Sequence, residues 1–128
     1  MDEIEFKRRT RAFAVRCMKV CDALPQRRSA DVLARQLLRS ATSVSANYRA
    51  ACRAKSRKDM VSKLSIVEEE GDESIHWMDL IVEGGLMKGQ RLRELIAEGN
   101  EIVAMTVASI KTLRSNAANP KSKIQNPK

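Results

Sequence analysis

The sequence predicts an all-α protein, an antiparallel up-down-up-down four-helix bundle, on three observations. Apolar residues recur at alternating steps of three and four along most of the chain, the period of an amphipathic helix rather than a strand. Only three prolines and five glycines interrupt the pattern. Aromatic residues make up 3% of the chain, fewer than a β-sandwich with its many turns would need. At 128 residues, 43% hydrophobic and 31% charged, the chain suits one folded domain around one core.

The first helix is predicted from Glu3 to Ala23, where Phe6, Thr10, Phe13, Cys17, Val20 and Leu24 make one buried stripe. Lys7, Arg8, Arg9, Arg11, Arg16 and Lys19 lie mostly off it. Leu24-Pro25 ends the helix, because proline disfavours helical geometry in the residue before it. Ser29 is the expected N-cap of the second helix, with Asp31 in its first turn, and the helix should continue to about Ala54.

On a helical projection the second helix has three faces. Leu37, Ala41, Val44, Tyr48 and Ala51 form an apolar stripe; Arg35, Arg39, Thr42, Ala46, Arg49 and Arg53 lie nearly opposite. Gln36, Ser40, Ser43 and Asn47 form a polar ridge between them. Ser56-Arg57-Lys58-Asp59 has the form of a capping box with aspartate in place of glutamate, and opens the third helix after a short link. So short a link between long helices requires an antiparallel hairpin.

The third helix turns Met60, Leu64, Val67, Gly71, Ser74, Met78 and Ile81 inward, and Gly84-Gly85 stops it. The fourth runs from about Gly89 to Arg114 with Leu92, Ile96, Gly99, Val103, Thr106, Ile110 and Leu113 inward. Gly71 and Gly99 sit mid-helix, where glycine costs about 1 kcal/mol relative to alanine. A tight crossing near one or both would justify them. The bundle is expected over residues 1–115, and residues 116–128 form a basic tail expected to be disordered.

Charge is unevenly spread. The formal net charge is +8. Between Gln26 and Lys55 seven bases face one acid, whereas from Arg57 to Gly84 three bases face eight acids. Neighbouring helices of opposite sign attract, within a subunit or between subunits. Arg49, Arg53, Lys55, Arg57 and Lys58 cluster around the second turn, dense enough for phosphate contacts, and Arg35 lies on the same helix face. A solvated basic surface accounts for the same residues. Without interleaved exposed aromatics there is little provision for stacking on single-stranded bases, so recognition by charge and shape is expected.

The third helix carries a second stripe, Ile66, Glu70, Glu73, Trp77 and Leu80, facing away from the first. It is read as an oligomer contact with Trp77 as anchor, its glutamates meeting arginines of a neighbouring subunit, Arg39 first among them; the alternative is that Trp77 covers a bundle edge. Ser43 and Asn47 of the polar ridge belong to the same expected interface.

Glu73-x-x-His76 matches half of a di-iron carboxylate unit, but the chain has one histidine where a full site needs the unit twice. No Gly-rich phosphate loop, zinc-ligand set or nucleophilic triad can be assembled, so no enzyme activity, cofactor or metal is expected. Cys17, Cys21 and Cys52 form no C-x-x-C pattern and read as buried thiols. No apolar run approaches the roughly 20 residues of a membrane span, and Met1-Asp2-Glu3-Ile4-Glu5 opens no signal peptide. A cytoplasmic location and no membrane partner are expected.

Three segments together carry a family resemblance. They are Gln36-Leu-Leu-Arg39-Ser40-Ala41-x-Ser43-Val44-x-x-Asn47, Ser56-Arg-Lys-Asp-Met60-x-x-Lys63-Leu64 and Glu70-x-x-Glu73-Ser74-x-x-Trp77-Met78, with Phe13-Ala14 and Leu24-Pro25 upstream. The chain to about Leu113 resembles the bacterial four-helix-bundle proteins first noticed as reading frames in intervening sequences of large-subunit ribosomal RNA genes. The resemblance implies a homopentameric ring with a central channel. A relationship to the accessory variability protein of diversity-generating retroelements further implies binding to RNA or DNA and to a reverse transcriptase. Members often carry a Glu-Gly pair soon after the asparagine, where this chain has Arg49, Ala50 and Ala51 and is more basic. The expected function is a non-catalytic, oligomeric nucleic-acid-binding accessory protein; the alternative is a protein-interaction scaffold with no physiological nucleic-acid ligand.

Overall fold

The computed structural model describes residues 2–118, and four helices account for nearly all of these. They are α1 (Glu3–Ala23), α2 (Arg28–Cys52), α3 (Arg57–Glu83) and α4 (Gly89–Ala118). Asp2 caps α1, its side chain accepting from the Ile4 amide. Ser56 caps α3 as its sequence suggests, accepting from the Asp59 amide at 3.0 Å, while the Asp59 carboxylate accepts from the Lys55 amide at 3.2 Å. At the other end of α3 the Gly85 amide bonds to the Val82 carbonyl and the Leu86 amide to Ile81. Gly85 has φ of 74°, the left-handed conformation that this helix stop requires.

Two boundaries differ from expectation. Ser29 is not the cap of α2: Arg27 takes that position, with no side-chain bond, and Ser29 lies inside the first turn. The bond from the Arg27 amide to the Pro25 carbonyl turns the chain early, so the helix begins before the serine. Helix α4 runs four residues past Arg114, since Ser115 to Ala118 contains no breaker and two alanines favour continuation. Of the expected tail, residues 119–128 lie outside the described residues.

The core forms from the predicted stripes. Phe6, Leu37, Ala41, Val44, Ala51, Leu64, Val67, Met78 and Ile81 are all fully buried, and Tyr48 is nearly so. Phe6 and Tyr48 meet edge to face, with centroids 4.7 Å apart. The buried stripe of α4 is rotated from the predicted one: Leu95 and Ile102 lie inside, whereas Ile96 and Val103 are only half-buried. The helices pack in sequence order, and α1 meets α4 most sparingly. Contacting residues run in opposing order: Phe6 meets Tyr48 while Cys21 reaches Ala34, and Gly71 faces Val103 while Gly99 faces Ile75. An ion pair closes the narrow α1–α4 contact. Arg9 grips Glu98 with two bonds of 2.9 and 2.7 Å and reaches Glu101 at 2.8 Å.

The three cysteines are buried and unpaired with one another. Desolvation pushes the Cys17 thiol up to about 12 and the Cys21 thiol up to about 11, so both stay protonated and unreactive at neutral pH.

The two inner glycines mark close packing against side chains. A Cβ at Gly71 would come within 2.9 Å of Val103 Cγ2; one at Gly99 would lie 3.1 Å from Ile75 Cγ1 and 3.2 Å from Phe13 Cε1. Phe13 is itself held in the core, so it has little room to yield. Gly99→Val is therefore expected to lower unfolding free energy by about 1–3 kcal/mol through overpacking. Urea denaturation checks this; an unchanged midpoint would show the contact to be slack.

Candidate nucleic-acid interface and the α2–α3 flank

The basic residues of α2 and α3 are distributed by the hairpin that joins them. Only residues 53–56 separate α2 from α3, so the last turn of one helix stands beside the first turn of the other. The arginine face predicted for α2 is exposed throughout, at Arg35, Arg39, Thr42, Ala46, Arg49 and Arg53. Its lower end opens onto a groove of about 750 Å³ lined by Ala46, Arg49, Ala50, Arg53, Lys55, Ser56, Asp59 and Lys63. Asp59 is the one acid in this lining. The Lys55 backbone amide, with help from the Lys63 ammonium, holds its carboxyl below the ordinary aspartate value. Committed to the turn and to Lys63 at 3.4 Å, it leaves Arg49, Arg53 and Lys55 facing outward.

Arg57 and Lys58 lie on the other flank of the same turn. With Val61, Ser62, Ser65, Leu113 and Arg114 they line a second groove of about 720 Å³, where the end of α4 passes the start of α3. Arg35 is not brought to either groove. It sits some 14 residues up α2 from Arg49, about 21 Å along the axis, and pairs with Asp31 at 3.2 Å. Lys63 and Arg114 are the two cations that sequence reading left out of the cluster. Lys63 was detectable, one helical turn after Asp59; Arg114 had no local signal, since it reaches the site only by the return of α4.

The second stripe of α3 is half-buried along its length, at Ile66, Glu70, Glu73, Trp77 and Leu80. Within the chain its glutamates meet Arg39. One guanidinium nitrogen lies 3.2 Å from each Glu70 oxygen, and another donates to Glu73. The reason is the packing of α2 on α3, which carries Arg39 directly over that stripe. Trp77 Nε1 donates to the same Glu73 oxygen at 3.2 Å, and its ring packs against the core. Nearby, Asn47 turns back on its own helix, its amide donating to the Ser43 carbonyl at 3.0 Å and hydroxyl at 2.9 Å. Ser40, placed on the polar ridge by its spacing, is wholly buried and meets Ser74 at 2.9 Å.

His76 is exposed and stacks edge-on against Trp77, while Glu73 is engaged by Arg39 and Trp77. Among the described residues no group of three or more His, Cys, Asp and Glu could hold a metal ion. Among them, too, no helix is long and apolar enough to cross a membrane.

This arrangement places the chain in a class of small all-α proteins of four helices. A solved protein of unknown function from the S23 ribosomal protein family, from Bacteroides thetaiotaomicron, superposes with a TM-score of 0.80 at 30% identity. The match covers 87% of this chain and 99% of that one. Residues 2–108 match the 23S rRNA-intervening sequence protein family, and the chain belongs to it. No curated protein matches the chain.

Arg39→Ala leaves Glu70 and Glu73 without their cation, yet Arg39 is half exposed, so the cost should be no more than about 1 kcal/mol. Trp77 emission should change at the same time, because Glu73 serves both side chains. Unaltered emission in the folded variant would show the two contacts to be independent.

Proposed function

We propose that this protein is a non-catalytic accessory protein that binds RNA or DNA by its phosphates, through the basic end of the α2–α3 hairpin. The observation that carries the reading is the convergence of Arg49, Arg53, Lys55 and Lys63 on one open groove. Lysine and arginine neutralise phosphates and release counterions, a sequence-independent attraction. Contacts of this kind from Arg49, Arg53 and Lys55, with no base-reading element inserted, would bind many sequences.

The charge-reversed chain Arg49→Glu, Arg53→Glu, Lys55→Glu is expected to lose at least about tenfold in affinity for RNA or DNA at low salt. All three sites are exposed, so helicity should be retained. Wild-type affinity should fall steeply between low and physiological salt. Equal binding by the reversed chain, or binding indifferent to salt, would refute the reading.

The bundle is read as antiparallel, which the opposing order of the helix contacts supports, and as the unit of a homopentameric ring in the cytoplasm. Arg39, Ser43, Asn47, Ile66, Glu70, Glu73, Trp77 and Leu80 are the proposed interface, now with Arg39 and its glutamates acting as one preformed flank. Sedimentation at about five times the 14.4 kDa chain supports the ring, and a lone 14.4 kDa particle removes it. A reverse transcriptase is the proposed protein partner. Ile4, Val15, Met18 and Val32 are apolar yet between 43% and 79% exposed, which favours a second reading as a protein-interaction scaffold. Recovery of a stoichiometric protein partner after nuclease treatment, with no nucleic-acid binding by the purified chain, would select that reading.

A further inference from the structure

The aromatic side chains are withheld from the basic end. Phe6, Phe13 and Tyr48 are 0%, 1% and 2% exposed. Trp77, the remaining aromatic, lies 18 residues along α3 from Asp59, about 27 Å away. Proteins that hold single strands do so largely by stacking bases on aromatic faces, and this end presents none.

It presents cations on two opposite flanks of the first turn of α3. Arg49 and Arg53 line the groove on the α2 side, while Lys58 and Arg114 line the groove on the α4 side. A helix with its side chains is about 10–12 Å wide, so the two sets stand on the order of 10 Å apart. A rigid duplex presents two rows of phosphates across a groove to such a surface, whereas a single strand would have to wrap around the first turn of α3 to reach both sets. The link between α2 and α3 spans only residues 53–56, and projects nothing that could enter a deep, narrow groove. A blunt cationic end of this kind suits the wide, shallow minor groove of A-form RNA, which proteins recognise by shape and backbone.

We propose that the basic end binds double-stranded RNA, the first turn of α3 straddling its minor groove with one strand's phosphates in each cleft. This rests on the reading that the basic end binds nucleic acid, and adds the form of nucleic acid and the second contact surface.

The test uses the full chain at low salt in a fluorescence anisotropy titration. The probes are an RNA duplex of about 16 base pairs, a DNA duplex of the same sequence, and an oligouridylate of about 32 nucleotides, matched for total nucleotides. The RNA duplex should bind at least about tenfold tighter than the oligouridylate, and tighter than the DNA duplex. Equal or tighter binding of either competitor overturns the proposal while leaving nucleic-acid binding intact. Failure to bind any of the three overturns the underlying reading instead. Arg49→Glu with Arg53→Glu, and Lys58→Glu with Arg114→Glu, should each cost at least about tenfold for the RNA duplex. These four side chains are exposed, and circular dichroism confirms that the variants fold. If either pair leaves affinity unchanged, the two-cleft arrangement is wrong.

Discussion

The α2–α3 seam fixes the alignment of the hairpin through two buried hydroxyls. Ser40 and Ser74 face each other there without any exposure to solvent, their hydroxyls 2.9 Å apart. Ser74 Oγ lies 2.8 Å from the Glu70 carbonyl and Ser40 Oγ 3.3 Å from the Leu37 carbonyl. One hydroxyl can donate to its own helix while the other donates across the seam, so neither is left unsatisfied. A buried hydroxyl without a partner would cost about 1–3 kcal/mol, which makes this pairing selective for one register. Just outside it Arg39 spans to Glu70 and Glu73, the charged counterpart of the same alignment. Once the register is set, Arg49 and Arg53 at the end of α2 must stand beside Lys63 at the start of α3.

Charge segregation along the chain thus has two outcomes. Halfway up the hairpin, opposite charges neutralise each other within the chain, as Arg39 does with the two glutamates. Near the turn the acids run out. Asp59 is committed to capping α3 and to Lys63, so the cations there stay turned to solvent. The same sequence asymmetry that tightens the middle of the hairpin leaves its end electropositive.

Much of the fold was legible because it depends on neighbours three or four residues apart. The stripe of Leu37, Ala41, Val44, Tyr48 and Ala51, the Ser56 cap and the Gly84-Gly85 stop are all local signals. Ser29 misled because the bond between Arg27 and Pro25 turned the chain before the serine could cap it. What spacing could not reveal is which helix supplies each partner. Arg9 with Glu98, Arg39 with Glu70 and Arg114 beside Lys58 are joined across 31 to 89 residues, or in the last case across α3 and α4, by the alignment of packed helices. Leu95 and Ile102 take the inward places that spacing gives to Ile96 and Val103, because the roll of α4 against its neighbours is set by tertiary packing.

Under the proposed function one end of the bundle, and not its general basicity, meets phosphate. Lysine acetylation read by mass spectrometry, with and without a saturating RNA duplex, tests this most directly. Protection is expected at Lys55, Lys58 and Lys63, while Lys19 and Lys88, which line neither groove, react as before. Equal protection of all five lysines would contradict the claim and leave only diffuse attraction between a basic protein and a polyanion.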